Sequence, residues 1–568
     1  KGEFGELLGH SIYFYSLDTG KPVKFVPPSY ALKDITRIPR WRKISSSEHG
    51  CRFWWLEYGG RLDTIHDTEQ IKWEIWSVVY GVWDYIKNSG NFPDAENLTL
   101  SWVGTIPGKR ESRRFEGEYT LVQQDIIEQR HHPDAVAFGG WAIDLHPADG
   151  VYSSQNGCIQ YHSKGIYEIP YRCYCSRDIR NLFLAGRCIS ASHVAHGSTR
   201  VMATSGFGAQ AIGMAAALCL QKGVLPADLT RPEFMRLLQQ RLNLAGQSIP
   251  GIRIDSAGNL AASARISASS ELRLAEIPFD GGWMPLDYSA AQLLPLKAGV
   301  RYRFEIEVEA CEATVLEAEL RYAAKPFNYT PDMTAERVRI PVEMGTCKLS
   351  VVFTGTVPSD QYGFVTFLKN NALRIRSSKA RYTGIVSVFN KFNEAVNNNG
   401  RQTPPAGSGI DAFEFWCPDR RPAGQNIAMR ITPAIEAFSP SNVVNGFVRP
   451  TVTANAWCAA FGDKMPRLSF CWDVPQRIGR IRLFFDTDYD HALESVQMGH
   501  PERVIPFCVQ GYRILDGHGN VVCECTDNHQ TINDIRLKET LETDRLAIVV
   551  EHPSSEVAAA LFQIHIEA

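Results

Sequence analysis

Two histidines and two arginines stand close together in the stretch "GRCISASHVAHGSTRVM", residues 186–202. A neutral imidazole near pH 7 can take a proton from a substrate O–H or N–H, so His193 and His196 are candidate general bases. The guanidinium of Arg200 could bind an anionic or polyhydroxylated substrate. In the alternative interpretation, these side chains cap a helix and pair with nearby carboxylates.

A second charged stretch, "GKRESRR" at residues 108–114, places four basic side chains around Glu111. In an extended segment the side chains alternate, so Arg110 and Arg114 would share one face while Glu111 and Arg113 share the other. One arginine would then reach a substrate and another would pair with Glu111. A solvated run of surface charge is the alternative.

Two histidines lie beside acidic residues, His66 in "DTIHD" and His146 in "DLHPADG". Their spacing matches no common metal site, and a strand would place Asp144 and His146 on one face without further ligands. We therefore predict no metal site and a structural or substrate-lining role for His146. The chain has no G-x-S-x-G and no H-E-x-x-H, so neither a nucleophilic serine nor a zinc protease is indicated.

The pattern Gly206-x-Gly208-x-x-Ala211 has the spacing of a dinucleotide-binding fingerprint, but its position argues against that role. A working fingerprint lies in the tight turn between a strand and the helix that follows it. The nearest strand-like run, "NLFLAG" at residues 181–186, ends about twenty residues earlier. The spacing alone is therefore a weak motif.

The composition is that of an ordinary globular protein, with 568 residues of which 44% are hydrophobic and 21% charged. A net charge of -3 gives no electrostatic reason to expect binding to nucleic acid or to an anionic membrane. No run reaches the roughly eighteen apolar residues of a membrane span, and the most apolar segment, 207–220, is predicted to be a buried helix. The fourteen scattered cysteines are interpreted mostly as free thiols, which favours a cytoplasmic location.

The hydrophobic pattern changes near residue 250. Before it, strand-like runs alternate with an amphipathic helix predicted over residues 68–88, whose apolar stripe includes Trp73, Trp76 and Trp83. After it, alternating strands such as "RYRFEIEVEA" and "YGFVTFLK" are separated by turn residues, as in a β-sandwich. A stretch rich in Asn, Gly and Pro at 393–412 divides this half in two. The sequence therefore predicts an α/β part followed by two all-β sandwich domains, at 251–400 and 401–568.

Five blocks within residues 10–250 resemble, in the same order, the large FAD-dependent oxidoreductases of bacteria. They are residues 59–88, 107–126, 139–150, 166–173 and 181–223, the last containing "NLFLAGRCISASHVAHGSTRVMATSGFG". The resemblance implies a partial FAD-binding flavoprotein fold, with a substrate or cap domain at 1–180 and the closing segment of the FAD-binding domain at 181–250. In such flavoproteins the true glycine fingerprint belongs to an N-terminal βαβ unit, which we expect upstream of Lys1.

The resemblance also implies a cofactor, FAD, and a reaction in which hydride passes from a small organic substrate to it. A helix that begins near Val201 to Ser205 would direct unpaired N–H groups at the flavin. The expected cofactor contacts are Gly186, Arg187, Ser205 and Gly206. The catalytic candidates are His193, His196, Arg200 and Arg113, and the substrate-binding candidates are Arg110, His146 and Arg172.

The last domain, from about residue 424 to 568, resembles the galactose-binding-like jelly rolls of the discoidin type. The stretches "SPSNVVNGFVRPTVTANAWCA" and "PRLSFCWDVPQRIGRIRLFFD" carry this resemblance, together with the C-terminal run that ends in "ALFQIHIEA". It implies that the loop residues Phe447, Arg449 and Trp457 contact a sugar. Alternatively, Trp457 belongs to the core and the domain only supports the enzyme.

Two functions from different classes follow. The first is an FAD-dependent oxidoreductase of a small organic substrate, with a carbohydrate or its derivative as one candidate. The second is a carbohydrate-binding or polysaccharide-processing protein whose flavin domain is vestigial. Both predict a small-molecule or carbohydrate partner, and the sequence leaves the oligomeric state open.

Overall fold

An α/β part and two β-rich parts follow one another along the chain. The structure is a computed structural model that describes residues 6–47, 53–328, 330–391, 400–406, 411–418, 425–487 and 508–568. The α/β part extends to about residue 252, and sheets dominate beyond it. The predicted fold class, α/β followed by all-β sandwiches, is confirmed.

The α/β part contains five helices and four small antiparallel sheets within the described residues. The helices are α1 (Thr68–Asn88), α2 (Gln123–Ile127), α3 (His193–Thr199), α4 (Met202–Lys222) and α5 (Pro232–Leu244). The strands are β1 (His10–Ser11), β2 (Phe14–Asp18), β3 (Glu57–Tyr58), β4 (Leu98–Val103), β5 (Ala135–Gly139), β6 (Ile143–Leu145), β7 (Ile159–Tyr161) and β8 (Tyr167–Pro170). They pair as β1–β3, β2–β4, β5–β8 and β6–β7.

Helix α1 builds the first core of this part, and its predicted span of 68–88 is confirmed. Apolar residues that recur every three or four positions give it one buried face, which packs around Phe14 and Phe53. The predicted stripe was partly wrong, because Trp73 is 50% exposed and Trp76 is only partly buried. The aliphatic residues Ile71, Ile75, Val78, Val79, Val82 and Ile86 fill the buried face together with Trp83.

Helix α4 packs against the second core of the α/β part through one face only. Gly208 permits its close approach to the rest of the core, since a Cβ there would lie 2.4 Å from Tyr174 Oη. The opposite face is open: Met202 is 87% exposed and Leu220 is 86% exposed. The prediction of a fully buried helix over 207–220 is therefore corrected to a half-buried one. Within the described residues α4 alone has the length and apolar composition of a membrane-spanning helix, a property that core helices of soluble proteins share.

The strand-like run at 181–186 does not form a strand. Only an isolated bridge joins Phe183 to Cys175, and the chain then enters a short 3-10 turn at Gly186–Cys188. A strand requires a neighbour that pairs with it over several residues. Among the described residues, the run at 181–186 pairs with a neighbour through one isolated bridge only, so the segment is irregular.

The next part is a two-layer β-sandwich, called here the middle sandwich. The strands of this region, in chain order, are β9 (Arg265–Ala268), β10 (Leu274–Ile277), β11 (Trp283–Pro285), β12 (Ala290–Leu296), β13 (Arg303–Ala310), β14 (Thr314–Tyr322), β15 (Met333–Val342), β16 (Gly345–Val352), β17 (Gln361–Phe367), β18 (Leu373–Ser378), β19 (Ser387–Phe389), β20 (Arg401–Gln402), β21 (Phe413–Glu414), β22 (Cys417–Pro418), β23 (Asn426–Ile427) and β24 (Met429–Ile435). Strand β9 does not belong to the two sheets of the sandwich, and β20 and β21 form a separate pair. One sheet has the order β10-β24-β13-β18-β11, with β16 on β13 and β23 on β18, and the other has the order β15-β14-β17-β12-β19-β22. Alternating side chains of both sheets form one core, as the sequence pattern predicts.

The last part is a single sheet, called here the last sheet. Besides β9, which pairs with β26, its strands are β25 (Trp457–Cys458), β26 (Arg467–Phe485), β27 (Tyr512–Leu515), β28 (Val521–Cys525), β29 (Ile532–Val550) and β30 (Ala560–Glu567). Their order in the sheet is β25-β30-β26-β29-β27-β28. Two strands predicted within 466–488 are one strand of 19 residues, β26, whose register shifts between Cys471 and Gln476. Both halves of β26 face one core, so the long strands fold this sheet over itself.

Strand pairing divides the chain differently from the predicted boundaries. Strand β24, which follows the predicted boundary at residue 400, pairs with β10 and β13 of the middle sandwich. Strand β9, which precedes that boundary, pairs with β26 of the last sheet. Likewise, one core unites residues from Leu121 to Ile252 across the predicted boundary at 180. Sequence patterns identify strands, but they do not identify the partners with which strands pair.

Candidate functional site

The clearest chemical arrangement is a pair formed by His193 and Glu111. His193 is the first residue of α3, and its Nδ1 lies 2.9 and 3.1 Å from the two carboxylate oxygens of Glu111. Glu111 is fully buried, whereas the His193 side chain is 41% exposed. Since Nδ1 faces the carboxylate, Nε2 is the nitrogen that can meet a substrate.

Glu111 is held in place by several groups. The backbone N–H of Leu8 donates to its Oε2 at 2.9 Å, and Arg114 pairs with its Oε1. Burial opposes ionisation of this carboxyl, but the bonds from His193 and Leu8 and the charge of Arg114 outweigh burial and lower its pKa to about 2. Glu111 is therefore a carboxylate at neutral pH with a fixed position. The predicted pairing of an arginine with Glu111 is confirmed, through Arg114.

A second network of charged groups surrounds His146. Its Nδ1 lies 2.8 Å from Glu57 Oε1, and its Nε2 lies 3.2 Å from Asp144 Oδ2. Arg200 donates to the same Asp144 oxygen at 3.1 Å, and Arg110 forms an ion pair with Glu57. Three predicted residues, Arg110, His146 and Arg200, thus belong to one partly buried network, which Glu57 and Asp144 connect. Of the residues that the structure describes, no group of three or more His, Cys, Asp or Glu side chains could hold a metal ion.

Two further histidines are buried beside these networks, His196 on α3 and His10 on β1. Burial lowers the pKa of His196 to about 4, and Arg114 and Arg200 act in the same direction. Burial also lowers the pKa of His10 to about 4, with help from Lys109 and Arg110. Both rings are therefore neutral near pH 7.

The lowered pKa values of these two histidines predict how the stability of the α/β part depends on pH. Below pH 6.5 the unfolded chain takes up protons on His10 and His196, whereas the folded chain does so only near pH 4. The unfolded state thus binds more protons within this window. We expect the free energy of unfolding of the α/β part to fall on acidification, by up to roughly 1.4 kcal/mol per pH unit for each histidine.

Hydrogen exchange of amides in α4 and β5, corrected for intrinsic rates, measures this dependence between about pH 7 and pH 4.5. The middle sandwich serves as an internal control because residues 197–490 contain no histidine. Protection in α4 that stays constant across this range would contradict the expectation.

The junction of α3 and α4 is the place where the sequence predicts a cofactor contact. Helix α4 begins at Met202, as predicted, and no side chain caps its first turn. Gly186 has a φ of +65°, and no atom lies within 4 Å of the position that a Cβ would take at Gly186 or at Gly206. The hydroxyl of Ser205 donates to Thr199 O at 3.3 Å. Uncapped backbone donors thus lie at the start of α4, and the turn at Gly186–Cys188, which contacts α4, has open space beside Gly186.

Other predicted residues stand in different surroundings. Arg187 lies beside the site and donates to Ser112 Oγ at 3.2 Å. Arg113 is exposed, and Glu111 and Ser112 form a bend in the stretch whose side chains would alternate if it were extended. Arg172 is engaged elsewhere, with Nε 2.9 Å and Nη2 3.1 Å from the two oxygens of Asp134. A substrate contact through Arg172 stays a prediction.

Sequence reasoning missed Glu57 and His10. Glu57 holds both His146 and Arg110, and His10 is buried near Lys109 and Arg110. Neither residue belongs to a motif, and Glu57 lies 89 residues from His146 along the chain. Only the acid two residues before His146, Asp144, offered a local signal.

The three sugar-contact candidates of the last part are engaged in packing. Trp457 is fully buried, and its indole N–H donates to Ser270 O at 3.0 Å. The guanidinium of Arg253 lies 4.9 Å from the centre of the Phe447 ring, and that of Arg449 lies 5.1 Å from the Phe138 ring. The role of Trp457 is therefore corrected to a core residue, while Phe447 and Arg449 connect the last part to the α/β part.

Residues 5–242 match the family model described as FAD dependent oxidoreductase. The resemblance carried by the five sequence blocks is thereby confirmed.

Solved structures similar to this chain include carbohydrate-binding modules. A family 32 carbohydrate-binding module from Streptococcus pneumoniae EndoD is 13% identical, with a TM-score of 0.18, and the match covers 23% of this chain and 87% of that chain. A chitosan-binding module 2 in complex with chitotriose, from a chitosanase/glucanase of Paenibacillus sp. IK-5, is also 13% identical with a TM-score of 0.18, covering 24% of this chain and 89% of that chain. No curated protein matches the chain.

Proposed function

We propose that this protein oxidises a small organic substrate, with a carbohydrate or its derivative as the first candidate, and that FAD accepts the hydride. The observation that carries the proposal is the His193–Glu111 pair, an exposed imidazole oriented by a buried carboxylate. It stands in the domain that matches the FAD-dependent oxidoreductase family. Oxidation of a carbon that bears an O–H or N–H group requires a base near the reacting atoms, and the pair supplies such a base.

The residues at the junction of α3 and α4 fit the proposed cofactor. The unpaired N–H groups of the first turn of α4 suit an electronegative edge. Beside them, Thr199 Oγ1 and Arg200 Nε are buried and have no hydrogen-bond partner within the described residues. Gly186, Arg187, Ser205 and Gly206 would hold the group. When bound, FAD supplies the hydride acceptor that protein side chains lack.

The proton is handled by His193. With Nδ1–H donating to Glu111, the lone pair of Nε2 can accept the proton of a substrate hydroxyl or amine. The resulting imidazolium is stabilised by the carboxylate, whose lowered pKa keeps it ionised. Because Glu111 is fixed by Leu8 and Arg114 as well, the ring is held in one orientation before the substrate arrives.

The cationic side chains would position the substrate. Asp144 holds Arg200, and Glu57 holds Arg110, so neither guanidinium must be ordered when a ligand binds. Hydroxyl or carboxylate oxygens of a substrate could accept from the remaining N–H groups. This preorganisation supports a polar, oxygen-rich substrate over an apolar one.

The product of the complete gene provides the test. We expect it to be purified with a yellow flavin absorbance, to release FAD on denaturation, and to bleach anaerobically with one member of a panel of sugars, sugar alcohols and amino acids. Bleaching only with an apolar substrate would overturn the substrate class and leave the oxidoreductase intact. A colourless protein that does not take up added FAD would favour the alternative, a carbohydrate-binding protein with a vestigial flavin domain.

A further inference from the structure

A crevice of about 250 Å³ lies where the middle sandwich meets the last part of the chain. The end of β14 with its following loop forms one wall, the start of β17 forms the second, and Thr451 and Val452 form the third. Its size is below the roughly 300–1,000 Å³ of sites for drug-sized ligands. A ligand that fills it is therefore about the size of a single sugar ring.

The lining combines aromatic rings with neutral polar groups. Tyr322, Phe327 and Tyr362 supply the rings, and Asn328 and Gln361 supply amides. Among the described residues that line the crevice there is no Asp or Glu, which argues against a cation. Lys325 is the one lysine among the described lining residues, and its ammonium group donates a hydrogen bond to the Glu128 carbonyl oxygen of the α/β part. This bond argues against an anion as the ligand.

The loop that carries Phe327 is held in an unusual conformation. Phe327 has a φ of +65°, a region that bulky side chains rarely adopt. The α/β part fixes this loop: Ile166 N–H donates to Phe327 O at 3.4 Å, and a Cβ at Gly165 would lie 2.0 Å from that oxygen. The aromatic wall is thus positioned without a ligand.

One residue that lines the crevice, Asn328, has a buried side-chain oxygen without a hydrogen-bond partner among the described residues. Asn328 is only 9% exposed, and within the described residues its Oδ1 has no hydrogen-bond partner. A buried acceptor without a donor is unfavourable, and a hydroxyl group could satisfy it. A neutral ligand with one apolar face and several hydroxyl groups meets all of these conditions.

We propose that this crevice binds one pyranose ring of a carbohydrate. The C–H face of the sugar packs on the aromatic side chains, and its hydroxyl groups bond to the amides of Asn328 and Gln361. This site is separate from the His193–Glu111 pair and does not depend on the proposed oxidation. It also does not include Phe447, Arg449 or Trp457, the loop residues that the sequence predicts as sugar contacts.

The test uses the full chain with three probes: methyl β-D-glucopyranoside, methyl β-D-galactopyranoside and N-acetyl-D-glucosamine. Saturation-transfer NMR and calorimetry should show saturable binding of at least one probe. Gln361→Ala should weaken it by tenfold or more, because Gln361 supplies an amide to the crevice. Phe327→Gly should do the same, and glycine tolerates the φ of +65°, so this variant is expected to fold.

Gln476→Ala is the matched control, since Gln476 is also partly buried but lies on β26 of the last sheet. It should leave the affinity unchanged. No saturable binding of any probe would overturn the proposal. Binding that stays within twofold of the original in both crevice variants, with unchanged unfolding transitions, would also overturn it, because the sugar would then bind elsewhere.

Discussion

Replacement of His193 with alanine is expected to slow the reduction of bound flavin by substrate by roughly 100-fold to 10,000-fold, the usual contribution of a general base. The side chain is the exposed half of the pair with buried Glu111, and alanine removes the proton acceptor. FAD content should stay the same, because His193 is not among the proposed cofactor contacts. Anaerobic stopped-flow reduction of the complete gene product at saturating substrate measures the effect.

His131→Ala is the matched control for this prediction. His131 is also a solvent-accessible histidine that pairs through Nδ1 with a glutamate, Glu168, at 3.2 Å. It lies outside the site, so its removal should leave the reduction rate unchanged. A normal rate in the His193 variant, combined with a large loss in a His196 variant that keeps its fold and FAD, would transfer the role of base to His196. Structure argues against that outcome, because His196 is 2% exposed.

Replacement of Trp457 with alanine is expected to destabilise the last sheet by about 3–5 kcal/mol, the usual cost of truncating a buried tryptophan. The ring is fully buried in the core, and its N–H bond to Ser270 O would also be lost. Amides of β26 and β29 that exchange through opening of the whole sheet should then exchange roughly 100-fold or more faster.

Trp102→Ala is the control for this effect, since that ring is half exposed on β4 of the α/β part. It should leave exchange in β26 and β29 unchanged. If Trp457→Ala abolished sugar binding while exchange in the last sheet stayed constant, the residue would be a sugar contact as the sequence first indicated. The core assignment would then be wrong.

Local patterns predicted the elements well where local interactions determine them. The span of α1 and the start of α4 follow from hydrophobic spacing. Which face of α1 is buried depends on the tertiary core: aliphatic residues of α1 pack in one core with Phe14 and Phe53, and Trp73 remains outside it. The continuity of β26 through "CWDVPQRIG" could not be predicted either, because a proline within a run usually indicates a break and only pairing with β29 shows the strand to be continuous.

The site was predictable only in the part that one segment supplies. His193, His196 and Arg200 lie within eight residues of each other, so their proximity is visible in the sequence. Their partners come from distant segments: Glu111 lies 82 residues before His193. Glu57, the partner that His146 and Arg110 share in the second network, does not follow from spacing. The ion pair that engages Arg172 does not follow from spacing either, because long-range contacts depend on the tertiary fold.

The pairing of residues just after the α/β part with the C-terminal strands affects how the chain can be synthesised and folded. The side chain of Asn259 accepts from the backbone N–H of Ile566, 307 residues later. At the roughly 5–20 residues per second of translation, a ribosome needs about 15–60 s to produce that partner. Within this interval β9 has no strand to join until β26 has been synthesised, while the middle sandwich already has all its strands once residue 435 has emerged. The β-rich half of the nascent protein is therefore assembled from the inside outwards.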